Sequence, residues 1–297
     1  MAARPAILAF FDEPTFTVTY LVADPASGTA AVIDPVLDFD PASGRISTGS
    51  VDAVLAAAAE QGWQIAMILE THAHADHLSA AKLIAARTGA WIGIGARIDE
   101  VQRTFAPMFG ADDLLPAAGD FDRLLSDGEI VALGGLAIEV LHTPGHTPAC
   151  ASYRIGDAVF IGDTLFMPDY GTARADFPGG DAHALYRSIR RLLALPEETR
   201  LFLCHDYKAP GRDNLAWETT VGEQRRANVH VHDGVDEAAF VAMRQARDAT
   251  LAPPRLLLPS IQVNIRAGRL PPADPHGLRA LRLPLRAGDE GAATLLS

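Results

Sequence analysis

The stretch Thr71-His72-Ala73-His74-Ala75-Asp76-His77 places four residues that can bind a metal within seven positions. It follows the apolar run 65–69 and precedes an Ala-rich segment with helical character. In an extended segment, residues two apart point the same way, so His72 and His74 can aim at one point just past a strand end. Asp76 and His77 come one step later and can face a neighbouring point. Imidazole nitrogens and carboxylate oxygens suit Zn, Fe or Mn, so the stretch predicts a metal site.

Three residues further along the chain could bind metal together with this stretch. They are His146 in the turn Thr143-Pro144-Gly145-His146-Thr147, Asp163 after the apolar run 158–161, and His205 after the predicted short strand 200–204. Each lies just past a segment that is typical of a strand. Functional side chains commonly lie on loops held by a rigid scaffold. We therefore expect these three residues to complete the metal site.

Composition excludes several classes of function. The chain has 297 residues with 25 Lys and Arg against 37 Asp and Glu, a formal charge of −12, which disfavours binding to nucleic acid or to an anionic membrane. No run approaches the ~18 apolar residues of a membrane span. The N-terminal residues 1–5 lack the apolar stretch of a secretory signal, so we expect a cytoplasmic protein. Two cysteines, Cys150 and Cys204, are too few for a disulfide framework, and stability must come from a core.

The pattern of segments predicts an α/β protein. Strand-like runs interleaved with helical segments favour sheets covered by helices on their outer faces. There is no clean linker, so we expect one domain over 1–297, with a core over about 1–210 and a helical and irregular C-terminal extension over about 211–297. Within it, the sequence predicts a loop over 41–49, a helix over 217–227 and no periodic structure after 252.

Together these residues resemble a known family. His72-x-His74-x-Asp76-His77 followed by His146, Asp163 and His205 is similar to the metal-binding signature of the metallo-β-lactamase fold. The resemblance implies a four-layer αββα sandwich that binds metal between the edges of its two sheets.

Within that superfamily, the chain resembles the persulfide dioxygenases, a branch close to glyoxalase II. The segments that carry this likeness are 70–78, 143–148, 174–177, 204–207 and 263–268. The resemblance implies one Fe(II) per chain, bound by His72, His146 and Asp163. His74, Asp76, His77 and His205 would then surround that ion or form a second metal site. The implied substrates are glutathione persulfide and O2, and the family resemblance also implies a possible homodimer.

A glutathione-type substrate carries carboxylates, which an acidic protein must bind with local cations. Arg174, in the segment Arg174-Ala175-Asp176-Phe177, is our main candidate for a charge-assisted contact. Tyr207 resembles the tyrosine that glyoxalase II-like enzymes place against the glutathione backbone. The resemblance of the segment 263–268 adds Arg266 as a third candidate for substrate binding.

A glyoxalase II-like hydrolase with two zinc ions is the alternative. That enzyme cleaves a glutathione thioester with a metal-bound hydroxide. Its seven ligands correspond to His72, His74, Asp76, His77, His146, Asp163 and His205, and all seven are present. Ligand content therefore leaves both functions open.

Overall fold

The computed structural model describes residues 4–114 and 119–285, so residues 1–3, 115–118 and the last part of the predicted C-terminal extension lie outside the description. Within these ranges, the β-strands in chain order are β1 (Ala6–Asp12), β2 (Thr17–Ala23), β3 (Thr29–Ile33), β4 (Val36–Asp40), β5 (Arg45–Ser47), β6 (Gln64–Glu70), β7 (Leu78–Ser79), β8 (Trp91–Gly95), β9 (Arg123–Leu125), β10 (Ile130–Leu133), β11 (Leu136–His142), β12 (Ala151–Ile155), β13 (Ala158–Phe160), β14 (Arg200–Phe202) and β15 (Glu218–Thr220). The α-helices are α1 (Gly49–Glu60), α2 (Ala81–Thr88), α3 (Ile98–Phe109), α4 (Ala182–Leu193), α5 (Val221–Ala227), α6 (Glu237–Asp248) and α7 (Leu257–Asn264).

Two six-stranded sheets form the centre of the molecule. The first has the order β1-β2-β3-β6-β8-β9, and the second runs from β10 to β15 in chain order. Successive side chains of a strand point to opposite faces. Along β2, Tyr20 therefore packs between the sheets while Leu21 packs on the outer face. Every residue of β2 is buried because both faces of the strand are covered.

The core consists of three apolar clusters, one between the two sheets and one on the outer face of each sheet. Tyr20 meets Phe160 and Phe202 of the second sheet, with ring centroids 5.1 and 5.6 Å apart. The outer face of the first sheet packs against α1, α2, α3 and α7, and that of the second against α4, α5 and α6. This arrangement confirms the predicted four-layer αββα sandwich. No helix of the described residues is both long enough and apolar enough to cross a membrane.

Parallel strand pairs bring several chain segments to one edge. β3 runs parallel to β6 in the first sheet, and β13 runs parallel to β14 in the second. The motif beginning at His72 leaves the carboxyl end of β6, and Asp163 and His205 follow β13 and β14. The two sheets are joined here by the hydrogen bond from Ala151 N to Thr71 O, 2.9 Å long. The strand ends that carry the predicted ligands therefore meet.

Three local predictions need correction. The segment 41–49 contains β5, and the predicted helix over 217–227 begins with β15. Helix α5 starts only at Val221, where Thr220 and Glu223 form a capping box that satisfies the first free N–H groups. The tail after 252 contains α7, whose residues 260–264 are all buried. A helix without an exposed polar face shows no amphipathic period in the sequence.

Helix α7 supports the metal-binding motif from behind. The Asn264 side-chain amide donates to the carbonyl oxygens of His74 and His77, at 2.8 and 2.7 Å. Its oxygen accepts from Ser79 N at 2.7 Å. A single buried amide thus fixes the backbone on both sides of Asp76.

An ion pair joins the end of α7 to the short turn at 112–114. Arg266 donates from Nε and Nη2 to the two carboxylate oxygens of Asp113, at 2.8 and 2.7 Å. It also donates to Gln262 O. The Arg266 side chain is 3% exposed, so this bidentate pair is shielded from solvent on the arginine side. The hydrogen bond from Arg266 is the main cause that lowers the pKa of Asp113 to about 2.

We predict that Asp113→Asn destabilises the protein by about 1.5–3 kcal/mol at pH 7, because Arg266 then lacks a charged acceptor. The folded pKa is depressed, so the stability from Asp113 is present above the unfolded pKa and is lost as pH falls towards about 2. Urea unfolding of both proteins between pH 7 and pH 2 measures this. Asp99→Asn, which removes a surface pair with Arg103, is the control and should cost less than about 1 kcal/mol. Equal losses in the two variants would contradict the assignment.

Candidate metal centre

Two glycines allow the strand ends to approach each other at the site. Gly162 precedes Asp163 and has φ +50°, and a Cβ there would lie 2.5 Å from Thr71 Oγ1. Gly145 precedes His146 with φ +141°, and a Cβ there would overlap the backbone of Leu185 in α4. Glycine alone accepts both the conformation and the close contact. These positions set where Asp163 and His146 emerge.

His72, His146 and Asp163 come together as a buried cluster. Each offers one ligand atom, and these atoms lie within 4.8 Å of one another. His146 Nε2 is 3.7 Å from Asp163 Oδ2. The three residues expected from the family resemblance to bind one metal are therefore neighbours, although they lie up to 91 positions apart in the sequence.

A second set lies directly beside the first. His74, Asp76 and His77 also offer ligand atoms within 4.8 Å of one another. His205 Nε2 lies 3.3 Å from Asp163 Oδ1 and 3.6 Å from Asp76 Oδ2, so it adjoins both sets. All seven ligand-type residues predicted from the sequence thus form one constellation.

Each of the five imidazoles has one ring nitrogen close to a protein oxygen. The pairs are His72 Nδ1 with Thr71 Oγ1 (3.0 Å), His74 Nε2 with Asp34 Oδ1 (2.9 Å), His77 Nδ1 with Asp76 Oδ2 (3.2 Å), His146 Nδ1 with Arg174 O (2.9 Å) and His205 Nδ1 with Phe16 O (3.1 Å). Such contacts fix the tautomer and the ring orientation of metal-binding histidines. They direct the other nitrogen of each ring towards the shared centre.

Several of the remaining donor atoms have no hydrogen-bond partner among the described residues. These buried atoms are His72 Nε2, His74 Nδ1, His77 Nε2, His205 Nε2 and Asp163 Oδ1. A buried polar atom without a partner costs about 1–3 kcal/mol. Nitrogen and oxygen donors of this kind are the ligands that zinc and iron accept. The residues therefore fit metal, and the two adjoining sets provide for one ion or for two.

Charges in the cluster depend strongly on one another. Burial, reinforced by His74 and His146, lowers the pKa of His72 well below its usual range, which keeps that ring neutral. Burial also opposes protonation of His205, but Asp163 and Asp76 outweigh it and raise the pKa of His205 well above its usual value. A metal ligand must be unprotonated, so metal binding at His205 requires release of a proton.

Asp34 contacts the candidate metal centre and was not among the residues predicted from the sequence. It follows β3 with φ +50°, an unusual conformation for a residue with a side chain. Its carboxylate accepts from Thr71 N at 2.7 Å and from Thr71 Oγ1 at 2.9 Å, and it contacts His74 Nε2. Asp34 comes directly after a buried apolar run, as Asp163 does. That shared pattern was the signal that could have identified it.

Helix α6 also reaches the metal centre through a chain of contacts. Arg244 is buried and pairs with Asp248, with Nη2 2.7 Å from Oδ1. Asp248 Oδ2 accepts from Ala175 N at 2.9 Å, and the preceding carbonyl, Arg174 O, contacts His146 Nδ1. The predicted C-terminal extension therefore helps to orient a candidate metal ligand.

A cavity of about 760 Å³ opens onto the cluster, and we call it the site cavity. Asp76, His146 and Asp163 line it at the metal centre. Its other walls are aromatic and cationic: Phe16, Phe166, Tyr170 and Tyr207, with Arg174, Arg244, Arg247 and Arg255. The volume suits a small peptide-like ligand.

The predicted substrate-binding residues occupy different places. Tyr207 lines the site cavity and stacks on His205, with ring centroids 5.2 Å apart. Burial, then Asp76 and Asp163, raises the pKa of Tyr207 well above its usual value, so its hydroxyl stays protonated. Arg174 also lines the cavity. The expectation for Arg266 is corrected, because its guanidinium is buried against Asp113 and is not part of the cavity wall.

Comparison with known proteins identifies the superfamily. The sequence pattern of the Metallo-beta-lactamase superfamily matches residues 12–205. The chain is also 53% identical to a "Probable metallo-hydrolase" of Burkholderia pseudomallei (strain 1710b), an alignment that covers 94% of this chain and 98% of that protein. The chain therefore belongs to the metallo-β-lactamase superfamily, in which clusters of His and Asp bind zinc or iron.

Other similar proteins carry different names. The chain is 44% identical to "Glyoxylase B2" of Dictyostelium discoideum, with 96% of this chain and 98% of that protein covered. It is 49% identical to a "Beta-lactamase hydrolase-like protein" of Xylella fastidiosa (strain 9a5c), covering 97% of this chain but only 66% of that protein's length. Among solved structures, ETHE1 from Myxococcus xanthus is similar with a TM-score of 0.72 and 31% identity, covering 89% of this chain and 100% of that one.

We predict that Asp34→Asn weakens metal binding by about 10–100-fold, because Asp34 holds Thr71, whose hydroxyl contacts His72 Nδ1, and also contacts His74. Metal retained against a graded series of chelator concentrations measures the change. Asp38→Asn, which alters a carboxylate bonded to Ser50 outside the metal cluster, is the control and should retain metal like the wild type. Equal retention in Asp34→Asn and wild type would show that Asp34 does not support the site.

Proposed function

We propose that the protein is a persulfide dioxygenase that oxidises glutathione persulfide at a single Fe(II). The reaction is GSSH + O2 + H2O giving GSH + SO3²⁻ + 2H⁺. The observation that carries this proposal is the convergence of two imidazoles and one carboxylate, from His72, His146 and Asp163, beside a cavity of about 760 Å³. Similarity to ETHE1 over that protein's whole length supports it.

The ligand set fits non-haem iron. His72 Nε2, His146 Nε2 and the Asp163 carboxylate would hold the ion, which supplies the redox chemistry when bound. Two histidines and one carboxylate leave positions free for substrate and O2 in non-haem Fe(II) oxygenases. Holding both reactants at neighbouring positions gives the proximity that the reaction needs.

The cavity residues have roles that do not involve the metal. Phe166 and Tyr207 meet edge to face with ring centroids 5.7 Å apart, and Phe16 lies 5.7 Å from Tyr207. These rings exclude water from the side of the cavity next to His205. The protonated hydroxyl of Tyr207 can donate a hydrogen bond to the peptide part of a glutathione-type substrate.

A binuclear hydrolase of glutathione thioesters is the second candidate. It is favoured by the second donor set, since His74, His77 and His205 each leave a buried ring nitrogen without a hydrogen-bond partner among the described residues. The relative named "Glyoxylase B2" is consistent with this alternative. In the dioxygenase, the same groups would surround the iron site without binding the ion.

We predict about one iron per chain after anaerobic purification, with O2 uptake and sulfite formation when glutathione persulfide is added. Metal analysis, an oxygen electrode and a sulfite assay measure these outcomes. Two zinc ions per chain, no O2 uptake and rapid hydrolysis of S-lactoylglutathione would instead establish the hydrolase.

Variants of two histidines separate the two candidates further. His205→Ala should retain the iron in a dioxygenase, whereas in a binuclear hydrolase it should lose one of two metals. His146→Ala is the reference, because it should lose the first metal with either function. Loss of the only iron in His205→Ala would contradict the proposed ligand set.

A further inference from the structure

The site cavity holds four arginines, and they divide into two pairs. Arg174 donates from Nε and Nη2 to Asp176, at 2.6 and 2.7 Å, and from Nη1 to Ala252 O. Arg244 is 1% exposed and pairs with Asp248. The guanidinium groups of these two arginines are therefore already bound within the protein. Each already has a carboxylate partner, which leaves fewer of its five N–H donors for a ligand.

The other two arginines have no bound carboxylate among the described residues, although Arg255 adds, after the hydrogen bonds from Ser43 and Ala42, to the lowering of the pKa of Asp40. Arg247 and Arg255 line the same cavity and are exposed, and neither side chain makes a hydrogen bond or an ion pair within the described residues. Arg247 lies three positions after Arg244 on α6, on the same side of the helix. Helix α6, which the pair of Arg244 and Asp248 ties to Ala175, therefore presents Arg247 at the cavity.

Two guanidinium groups without a carboxylate partner among the described residues thus line the cavity that opens onto the candidate metal centre. The chain carries a formal charge of −12, so its overall field repels anions. A guanidinium group matches a carboxylate through two parallel hydrogen bonds. Two such groups beside an aromatic wall fit a peptide-like thiol that carries two carboxylates.

We propose that Arg247 and Arg255 bind the carboxylates of the substrate and thereby select a peptide thiol with two carboxylates over one that has none. This inference rests on the glutathione-type substrate of the proposed function. It transfers the main recognition role from Arg174, which the sequence predicts, to two residues of the C-terminal extension. Arg174 then acts as a structural residue, since its carbonyl contacts His146 and its guanidinium is bound to Asp176.

Binding of S-methylglutathione tests the proposal without any turnover. This probe keeps both carboxylates, but it has no persulfide to oxidise and no thioester to hydrolyse. Isothermal titration should give a Kd at least tenfold weaker for Arg247→Gln and for Arg255→Gln than for wild type. Arg103→Gln, on α3 and outside the cavity, is the matched control and should bind like wild type.

The diethyl ester of the same probe distinguishes recognition from damage to the fold. Because the ester lacks both negative charges, wild type and the two variants should bind it with similar, weak affinity. An unchanged Kd for S-methylglutathione in both variants would overturn the proposal, as would equal losses for the acid and the ester. Failure of wild type to bind S-methylglutathione would overturn it as well.

Oxygen uptake tells the two proposals apart. If the variants weaken binding but wild type oxidises no glutathione persulfide, the carboxylate site stands and the dioxygenase proposal fails. If wild type oxidises the persulfide and the variants keep its KM, the dioxygenase stands and the arginine assignment fails. If the dioxygenase proposal and the arginine assignment are both correct, the KM for glutathione persulfide should rise at least tenfold in the variants while kcat changes little.

Discussion

The metal centre depends on one constraint: each of its five imidazoles is held at one ring nitrogen by an oxygen of the protein. The holding groups come from separate segments and include the Asp34 carboxylate and the carbonyl oxygens of Phe16 and Arg174. They exist in the right places because parallel strands of two sheets end at the same edge. Rotation of any ring would break its contact and point its free nitrogen elsewhere. The surrounding fold can therefore be understood as the support for these contacts.

This arrangement carries a cost in stability. Several buried donor and acceptor atoms of the cluster have no hydrogen-bond partner among the described residues. Groups of this kind destabilise a fold unless something fills the space between them. The two-sided core around β2 and the inter-sheet aromatic cluster of Tyr20, Phe160 and Phe202 provide the compensating burial. Metal binding and folding are consequently linked in this protein.

The C-terminal part of the chain supports the site from two directions. Asn264 of α7 fixes the backbone around the motif, and the pair Arg244 and Asp248 of α6 positions the segment that contacts His146. The same helix carries Arg247 to the cavity. Contacts that support the candidate metal centre and an arginine of the cavity wall thus come from a part of the chain whose sequence has little obvious pattern. The short, buried α7 illustrates the difficulty, since a helix with no solvent-facing side has no detectable period.

The sequence by itself determined the fold class and the seven ligand-type residues. Four of those residues lie in one short stretch, and the other three each follow an apolar run, so strand ends could be recognised from local composition. Only the tertiary structure decided what surrounds them. Asp34 and Asn264 both contact His74, but they are separated from it by 40 and 190 positions in the sequence. Local sequence patterns do not reveal contacts at such separations. The same limit applies to the arginines. Among the described residues, Arg174 and Arg266 are paired with carboxylates, whereas Arg247 and Arg255 are not, because pairing depends on which carboxylates the folded chain brings near each guanidinium.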